Sequence, residues 1–507
     1  MTSINSNISA LRAQASLAGN ARKLDTTMER LSTGIRINSA KDDAAGLAIT
    51  NRMTSQIAGL NQAVRNANDG ISMVNTVEGA LQQTTTVLQR MRELAVQSAN
   101  DSNSTEDRQF LQAEIVQLAS EVDRIASQSR FNGIQVLNGQ FTNKQLQIGA
   151  GEGETISFNV DSSAASDIGV HQARQGQIGT MAAASSLPTS TVTSSSITVS
   201  GFLGNEDVTV SAADDAYSVA DAVNNEFANT GVKATAITKA LITGLSTAGT
   251  IAVDVSGKNS TDQAVTITAT IVDTDDLSSL ASAFNTFSAQ TGITATLSSD
   301  KTAVLLTNRD GYNIGLADFV HSNAGTIQVK GMEGDASSDD AGLTTTANGY
   351  EAAVTLTDGG NDSTLVVGDI LFTSTREFTV DASQGTNSTT SFVGTTAVAS
   401  ALQTVADIDI ADTAGAGQAI TILDGAIGKI SGMRGDLGAI AARLEKTVDA
   451  LTSSSTNTAA ARSRILDTDY AAETSALAKA QIIAQASTAM LAQANQQPQM
   501  VMKLLQQ

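Results

Sequence analysis

The chain has 507 residues, 51 acidic and 30 basic, with no cysteine, no tryptophan, two prolines and 3% aromatics. That length exceeds what one hydrophobic core usually serves, and 41% apolar against 16% charged residues argues against wholesale disorder. The missing cysteines exclude disulfides and thiolate metal sites, the net charge of −21 opposes nonspecific binding to nucleic acid or anionic membrane, and no apolar run is long enough for membrane insertion.

The opening MTSINSNISALRAQ has neither a basic n-region nor an apolar h-region, so a cleaved secretory signal is not expected. Residues 1 to 140 balance 13 basic against 13 acidic side chains, residues 416 to 507 carry 8 and 7, and the stretch between holds a net charge of −22. Aromatics divide the same way, with only Phe110 and Phe131 before residue 141 and only Tyr470 after residue 415. Both ends must therefore pack through aliphatic side chains and alanine.

Within the first end, Ile57, Leu60, Val64, Ala67, Ile71 and Val74 fall at alternating steps of three and four, the seam of a coiled coil. Continued strictly, this register places Glu78 and Arg92 in the seam. A three-residue slip at Val77 continues it instead through Leu81, Leu88, Met91 and Ala95 and buries no charge. After a polar break at 99–105, a second helix is predicted from about Glu106 to Ser129, with Phe110, Ile115, Leu118, Val122 and Ile125 on one side.

The middle is β-rich. Alternating Val, Ile and Thr recur in SSITVSG, DVTVSA, TIAVDVSG, AVTITATIVD, AVTLTDG and REFTVDAS, punctuated by Gly, Asn and Asp. A weak internal repeat places a short amphipathic helix before a glycine and a Thr-rich strand at both 217–237 and 276–297. In the C-terminal segment Ile420, Leu423, Ile427, Ile430, Leu437, Ala441, Leu444, Val448 and Leu451 form a second seam, which invites pairing with the first. Residues 471 to 494 are alanine-rich, with Leu477, Ile482, Ile483, Met490 and Leu491 as the main large apolar groups. They have helix propensity but little to bury alone, so the outermost segments are expected to be mobile in a monomer and to order on assembly.

At residues 31–49 the chain reads LSTGIRINSAKDDAAGLAI, which closely resembles the signature of bacterial flagellins. The resemblance extends through QRMRELAVQSAN (89–100) and FNGIQVLNG (131–139) and resumes in RILDTDYAAETSALAKAQIIAQASTAMLAQANQQPQMVMKLL (464–505). It covers roughly 1–175 and 405–507, and it implies the subunit of the extracellular filament that propels the cell. The family pairs its two ends in an inner tube and projects the middle outward. By resemblance the partners are further copies of the chain, an export chaperone holding the C-terminal segment (Leu477, Ile483, Leu491 and Leu504), the filament cap and the hook-junction proteins. The stretch Gln89 to Val96 also resembles the part of flagellins read by a vertebrate Toll-like receptor, with Gln89, Arg90, Leu94 and Glu114 matching. Arg90 and Leu94 stand one turn apart off the seam, so one polar and one apolar contact are expected there, on a face that also packs between subunits.

The expected fold class is multidomain α+β. Terminal helices at 1–45 and 465–507 would form the inner tube, and a coiled-coil core with a β-hairpin region would occupy 46–180 and 405–464. Outer modules would span 181–260 and 261–404. No catalytic, cofactor or metal site is expected. His171 and His321 lie outside any HExxH pattern and read as solvated loop residues, as do the acidic clusters at Asp273, Asp275 and Asp276 and at 359–362. DDAAG at 42–46 reads as shaping a bend, with Gly34 and Gly46 supplying flexibility. Two other classes share these features: a hook-junction protein, and a surface adhesin worked by the central modules.

Overall fold

The computed structural model describes residues 7–100, 102–175, 182–190, 192, 194–259, 263–332, 353–383 and 397–505, with side chains of the last helix to Gln496. Its helices are α1 (Ile8–Thr33), α2 (Ala44–Ser98), α3 (Thr105–Gln128), α4 (Ala216–Asn225), α5 (Phe227–Thr230), α6 (Ser278–Thr286), α7 (Ser288–Thr291), α8 (Thr413–Leu466) and α9 (Tyr470–Leu505). Among the described residues no helix is long and apolar enough to cross a membrane. Residues fall into two compact units: Met1–Asn75, Asn143–Asn159 and Leu437–Gln507 in the first, Thr76–Thr142 and Val160–Asp436 in the second. The long helices α2 and α8 contribute to both.

In the first unit α1 and α9 run antiparallel. Asn7 caps α1 by accepting from the Ala10 N–H, and its amide also donates to the Ala494 carbonyl at 2.9 Å. Asn20, 6% exposed, donates to the Ala480 carbonyl at 2.7 Å, and Arg30 stands 3.7 Å from Glu473. These partners advance along one helix as they retreat along the other. The bend into α2 is built by carboxylates: Asp42 accepts from the N–H groups of Asn38 and Ser39 and from the Ser39 hydroxyl, and Asp43 accepts from the Gly46 N–H. Gly34 and Gly46 do not loosen this bend, as the sequence suggested; they permit its tight geometry. Gly34 sits at φ +72° as the C-cap of α1, and a Cβ on Gly46 would strike Ile37 and Asp43.

The rest of this unit pairs α2 with α8 in the antiparallel sense. Asn61 meets Ser455 and Thr54 meets Arg462. Ala67 and Leu444 are buried with Ile156, and Ile71, Ile440 and Val448 pack against them. Ile156 belongs to the hairpin of Lys144–Gln147 and Thr155–Phe158, which is tied to α2 by the Asn66 amide donating to the Gln147 carbonyl at 2.9 Å. Leu60 is buried, whereas the seam residues Ile57, Val64 and Leu451 are only half-buried.

In the second unit the residues of the slipped register are buried. Val74 precedes the slip as a buried residue, though it belongs to the first unit, and Val77, Leu81, Leu88, Met91 and Ala95 beyond it are all buried. The two charges that the strict register would have buried lie beside the seam and bridge to α8 instead: Glu78 accepts from Arg434 at 2.8 Å and Arg92 donates to Asp424 at 2.6 Å. Leu423 and Ile430 are buried on α8, and Ile427 is half-buried; Leu437, also buried, is assigned to the first unit. Helix α3 starts with a reciprocal capping box between Ser104 and Asp107. It buries Ile115, Val122 and Ile125 but leaves Phe110 69% exposed, contrary to the face predicted.

Each predicted β segment is a strand, but the modules they build are nested rather than consecutive. In one module Ser195–Ser200 pairs with Asn205–Val210 and with Thr379–Ser383, and the strand after α4 and α5, Lys233–Thr243, pairs with Asp369–Ser374. In the other, Gly249–Ser256 pairs with Val265–Ile271 and with Ile314–His321, and the strand after α6 and α7, Ile293–Leu297, pairs with Val304–Asn308. The second module thus lies between two paired strands of the first. A boundary at 260 falls between the paired strands Gly249–Ser256 and Val265–Ile271, so the division into 181–260 and 261–404 is corrected. Separate cores mark the modules, around Val199, Val223 and Phe372 and around Val255, Phe284 and Phe319.

The repeat seen in the sequence has a structural lock. Asn224 reaches from α4 to the following strand, donating to the Ala234 carbonyl at 2.8 Å and accepting its N–H at 2.9 Å. Asn285 does the same with Ala295, both bonds at 2.8 Å. The glycine that follows each helix pair, Gly231 or Gly292, takes a left-handed φ of 73° or 70°. Because Asn285→Ala leaves two part-buried backbone groups unmatched, we expect it to destabilise its module by about 2 kcal/mol. A denaturant titration that found no change would refute the lock.

Candidate functional surfaces

The chemistry-bearing residues of the middle are structural. His321 is no solvated loop residue: it is 2% exposed at the end of a strand, its Nδ1 accepts from the N–H groups of Asn323 and Gly325, and its Nε2 faces the Thr247 carbonyl at 3.0 Å. The N–H groups at Nδ1 fix the tautomer with the proton on Nε2. His171 also departs from the loop expectation, standing half-buried on Gly169–Gln175 and lining a cleft of about 490 Å³ with Arg376, Glu377 and Lys429. Burial pushes its pKa down, with Glu377 opposing and Lys429 assisting. Asp276 accepts from the Ser278 N–H and hydroxyl, which hold its carboxyl below the usual carboxylate range, and Lys301 lies 3.5 Å away. Asp362 accepts from the Ser363 hydroxyl in the 359–362 turn. Among the described residues no cluster of His, Asp and Glu is arranged to hold a metal.

Exposed apolar groups concentrate elsewhere. On α1, Ile8, Leu11 and Met28 are all more than half exposed, and on α9 so are Ile482 and Met490. Ile483 is exposed, Leu477 and Leu491 are half-buried, and Leu504 lies outside the described side chains. Two paired helices that leave this much aliphatic surface to water present faces suited to a partner.

A second surface lies in the other unit, on α2 and α3. The Arg90 guanidinium donates to one Glu114 oxygen from Nε at 3.1 Å and from Nη2 at 2.9 Å, and from Nη1 to Glu93 at 3.2 Å. These carboxylates raise its pKa further above the ordinary guanidinium value. Gln89 is exposed beside it. The structure thus joins Arg90 and Glu114, which sequence could only place on separate helices. Leu94 does not complete the patch: it is 1% exposed, on a helix that α3 also contacts. That contact is marked by the Arg108 Nε donating to the Ser98 carbonyl at 2.9 Å. The exposed apolar neighbour is Phe110, one helical turn before Glu114, a spacing readable from sequence.

Comparison with known proteins identifies the chain's relatives. The bacterial flagellin N-terminal helical region matches residues 4–142, and the bacterial flagellin C-terminal helical region matches residues 420–505. The chain is 38% identical over 504 residues to a B-type flagellin of Pseudomonas aeruginosa, covering 99% of each chain. It is 34% identical over 530 aligned residues to a flagellin of Salmonella rubislaw and 32% identical over 506 to flagellin B of Vibrio cholerae, again covering 99% of each chain.

The depressed pKa of His171 has a consequence for stability. A base whose folded pKa lies below its unfolded one contributes fully above the ordinary histidine value of about 6.5 and loses that contribution as pH falls below it. We therefore expect the urea midpoint to fall between pH 7.5 and 5.5, and to fall less in His171→Gln. Equal pH sensitivity in the two proteins would show that another group is responsible.

Proposed function

The chain belongs to the bacterial flagellins, the structural subunits of the extracellular filament that drives swimming motility, and from that premise we propose a division of labour among its parts. The segments 1–45 and 465–507 polymerise, forming the inner tube, and are mobile in the monomer until neighbouring copies order them. The observation that carries this is the exposed aliphatic surface of Ile8, Leu11, Met28, Ile482 and Met490 on the α1–α9 pair. The paired helices α2 and α8 carry load, and the nested acidic modules face water.

The same reading assigns the remaining partners. The C-terminal segment around Leu477, Ile483, Leu491 and Leu504 is held by an export chaperone before assembly, and the chain passes through the flagellar export apparatus without cleavage of a signal. The filament cap and the hook-junction proteins meet it at the two filament ends. Gln89, Arg90 and Glu114, with Phe110 in the apolar role first expected of Leu94, form the surface read by a Toll-like receptor on the monomer. We read the protein as having no catalytic activity, in keeping with a structural family.

Purified full-length chain is expected to form long filaments when salt is raised, visible by sedimentation and negative-stain electron microscopy. A chain lacking 1–45 and 465–507 should stay soluble and folded; filaments from it would place the polymerising contacts elsewhere. For the receptor surface, Arg90→Ala monomer should lose about tenfold in signalling potency, as an anchoring arginine does. Undiminished signalling would remove Arg90 from that role.

A further inference from the structure

Beside the aliphatic surface of the first unit runs a groove of about 640 Å³ between α1 and α9, and its charge is one-sided. Arg22, Lys23 and Arg30 line it from α1 and Lys479 from α9, against a single carboxylate, Glu473. Glu473 is committed to Arg30 at 3.7 Å, and Arg22, Lys23 and Lys479 pair with no carboxylate among the described residues. The antiparallel contact of Asn20 with Ala480 sets Lys23 and Lys479 at neighbouring levels across the groove. Gly19 leaves part of the wall open, with no neighbouring atom within 4 Å of where a Cβ would stand.

The same helix carries the complementary charge on another side. Asp25 and Glu29 are exposed, one turn apart, and likewise without a basic partner among the described residues. Like charges at that spacing mildly destabilise an isolated helix, so the monomer gains nothing from them. At 3.6 residues per turn they stand roughly 130° round the axis from Lys23 and Arg30, out of reach of the Lys23–Lys479 side of the groove, whereas Arg22 stands on their own side.

We propose that Asp25 and Glu29 of one copy dock in the Lys23–Lys479 groove of the next. The inference rests on the filament reading and names the electrostatic contact within it. A second copy is the occupant because it brings two carboxylates one helical turn apart to cations presented from both helices. Donor and acceptor surfaces lie on different sides of one subunit, so the contact is heterologous and propagates into an open polymer instead of closing a two-fold dimer.

The test is a charge exchange in the full chain, read as the critical concentration for assembly beside wild type. All four positions are exposed, and circular dichroism checks each variant's helix content. The double variant Lys23→Glu/Lys479→Glu should raise the critical concentration about tenfold, the order expected from losing two exposed ion pairs at each contact. Adding Asp25→Lys/Glu29→Lys to it should bring the value back toward wild type, because the exchanged charges again match. A double variant that assembles like wild type overturns the groove, and a quadruple variant that assembles no better than the double overturns its pairing with Asp25 and Glu29. Wild-type filaments in the same experiment report on the filament reading separately.

Discussion

The antiparallel pairing of α2 with α8 is the contact on which the rest of the chain hangs. It joins residues as far apart in sequence as Asn61 and Ser455, separated by 394 positions. Closing so long a loop is an entropic cost, but one that grows only logarithmically, by about 0.6 kcal/mol for each doubling of length. Once the pair is formed, a long or short middle makes little difference to it. The same logic recurs inside the second unit, where a whole module is inserted between the paired strands Lys233–Thr243 and Asp369–Ser374. The chain is built by insertion within insertion: each antiparallel contact brings together the ends of the segment it encloses.

This organisation explains what was legible in the sequence and what was not. Helix seams are local patterns, and charge decided their register: Glu78 and Arg92 could not enter an aliphatic seam, so the slip at Val77 followed, and the residues beyond it are buried. The ββ–helix–β repeat was half visible because the helix, glycine and strand are contiguous. Nesting was hidden because the closing strands of the first module return only at residue 369, after the entire second module, and no local pattern encodes which distant edge a strand joins. Strands such as Val304–Asn308 were missed for a related reason, since both their faces are largely buried and they lack the alternation that marks a half-exposed strand.

At the candidate surfaces the errors were ones of environment. Leu94 was assigned to an exposed face because it stands off the seam, but it is buried. His321 was read as a loop residue from its Ser- and Gly-rich neighbours, yet those neighbours supply the backbone groups that bind its ring. Arg90 and Glu114 illustrate the reverse case. Each is unremarkable in its own helix, and only the packing of α3 on α2 makes them a paired surface with Phe110 alongside.

Charge distribution then divides the ends, to which the proposal gives association, from the acidic middle. The two ends carry almost no net charge, so their approach is not opposed by long-range repulsion, and at physiological salt fields fade within about 8 Å in any case. On the proposed reading, local complementarity decides how copies of α1 and α9 meet, while exposed aliphatic groups supply the drive. The middle holds a net charge of −22, which keeps its β-rich surfaces solvated and discourages one module from adding its edge strands to another's. A subunit that stacks at its ends, as proposed, without aggregating through its sheets needs both properties, and here they reside in different segments of one chain.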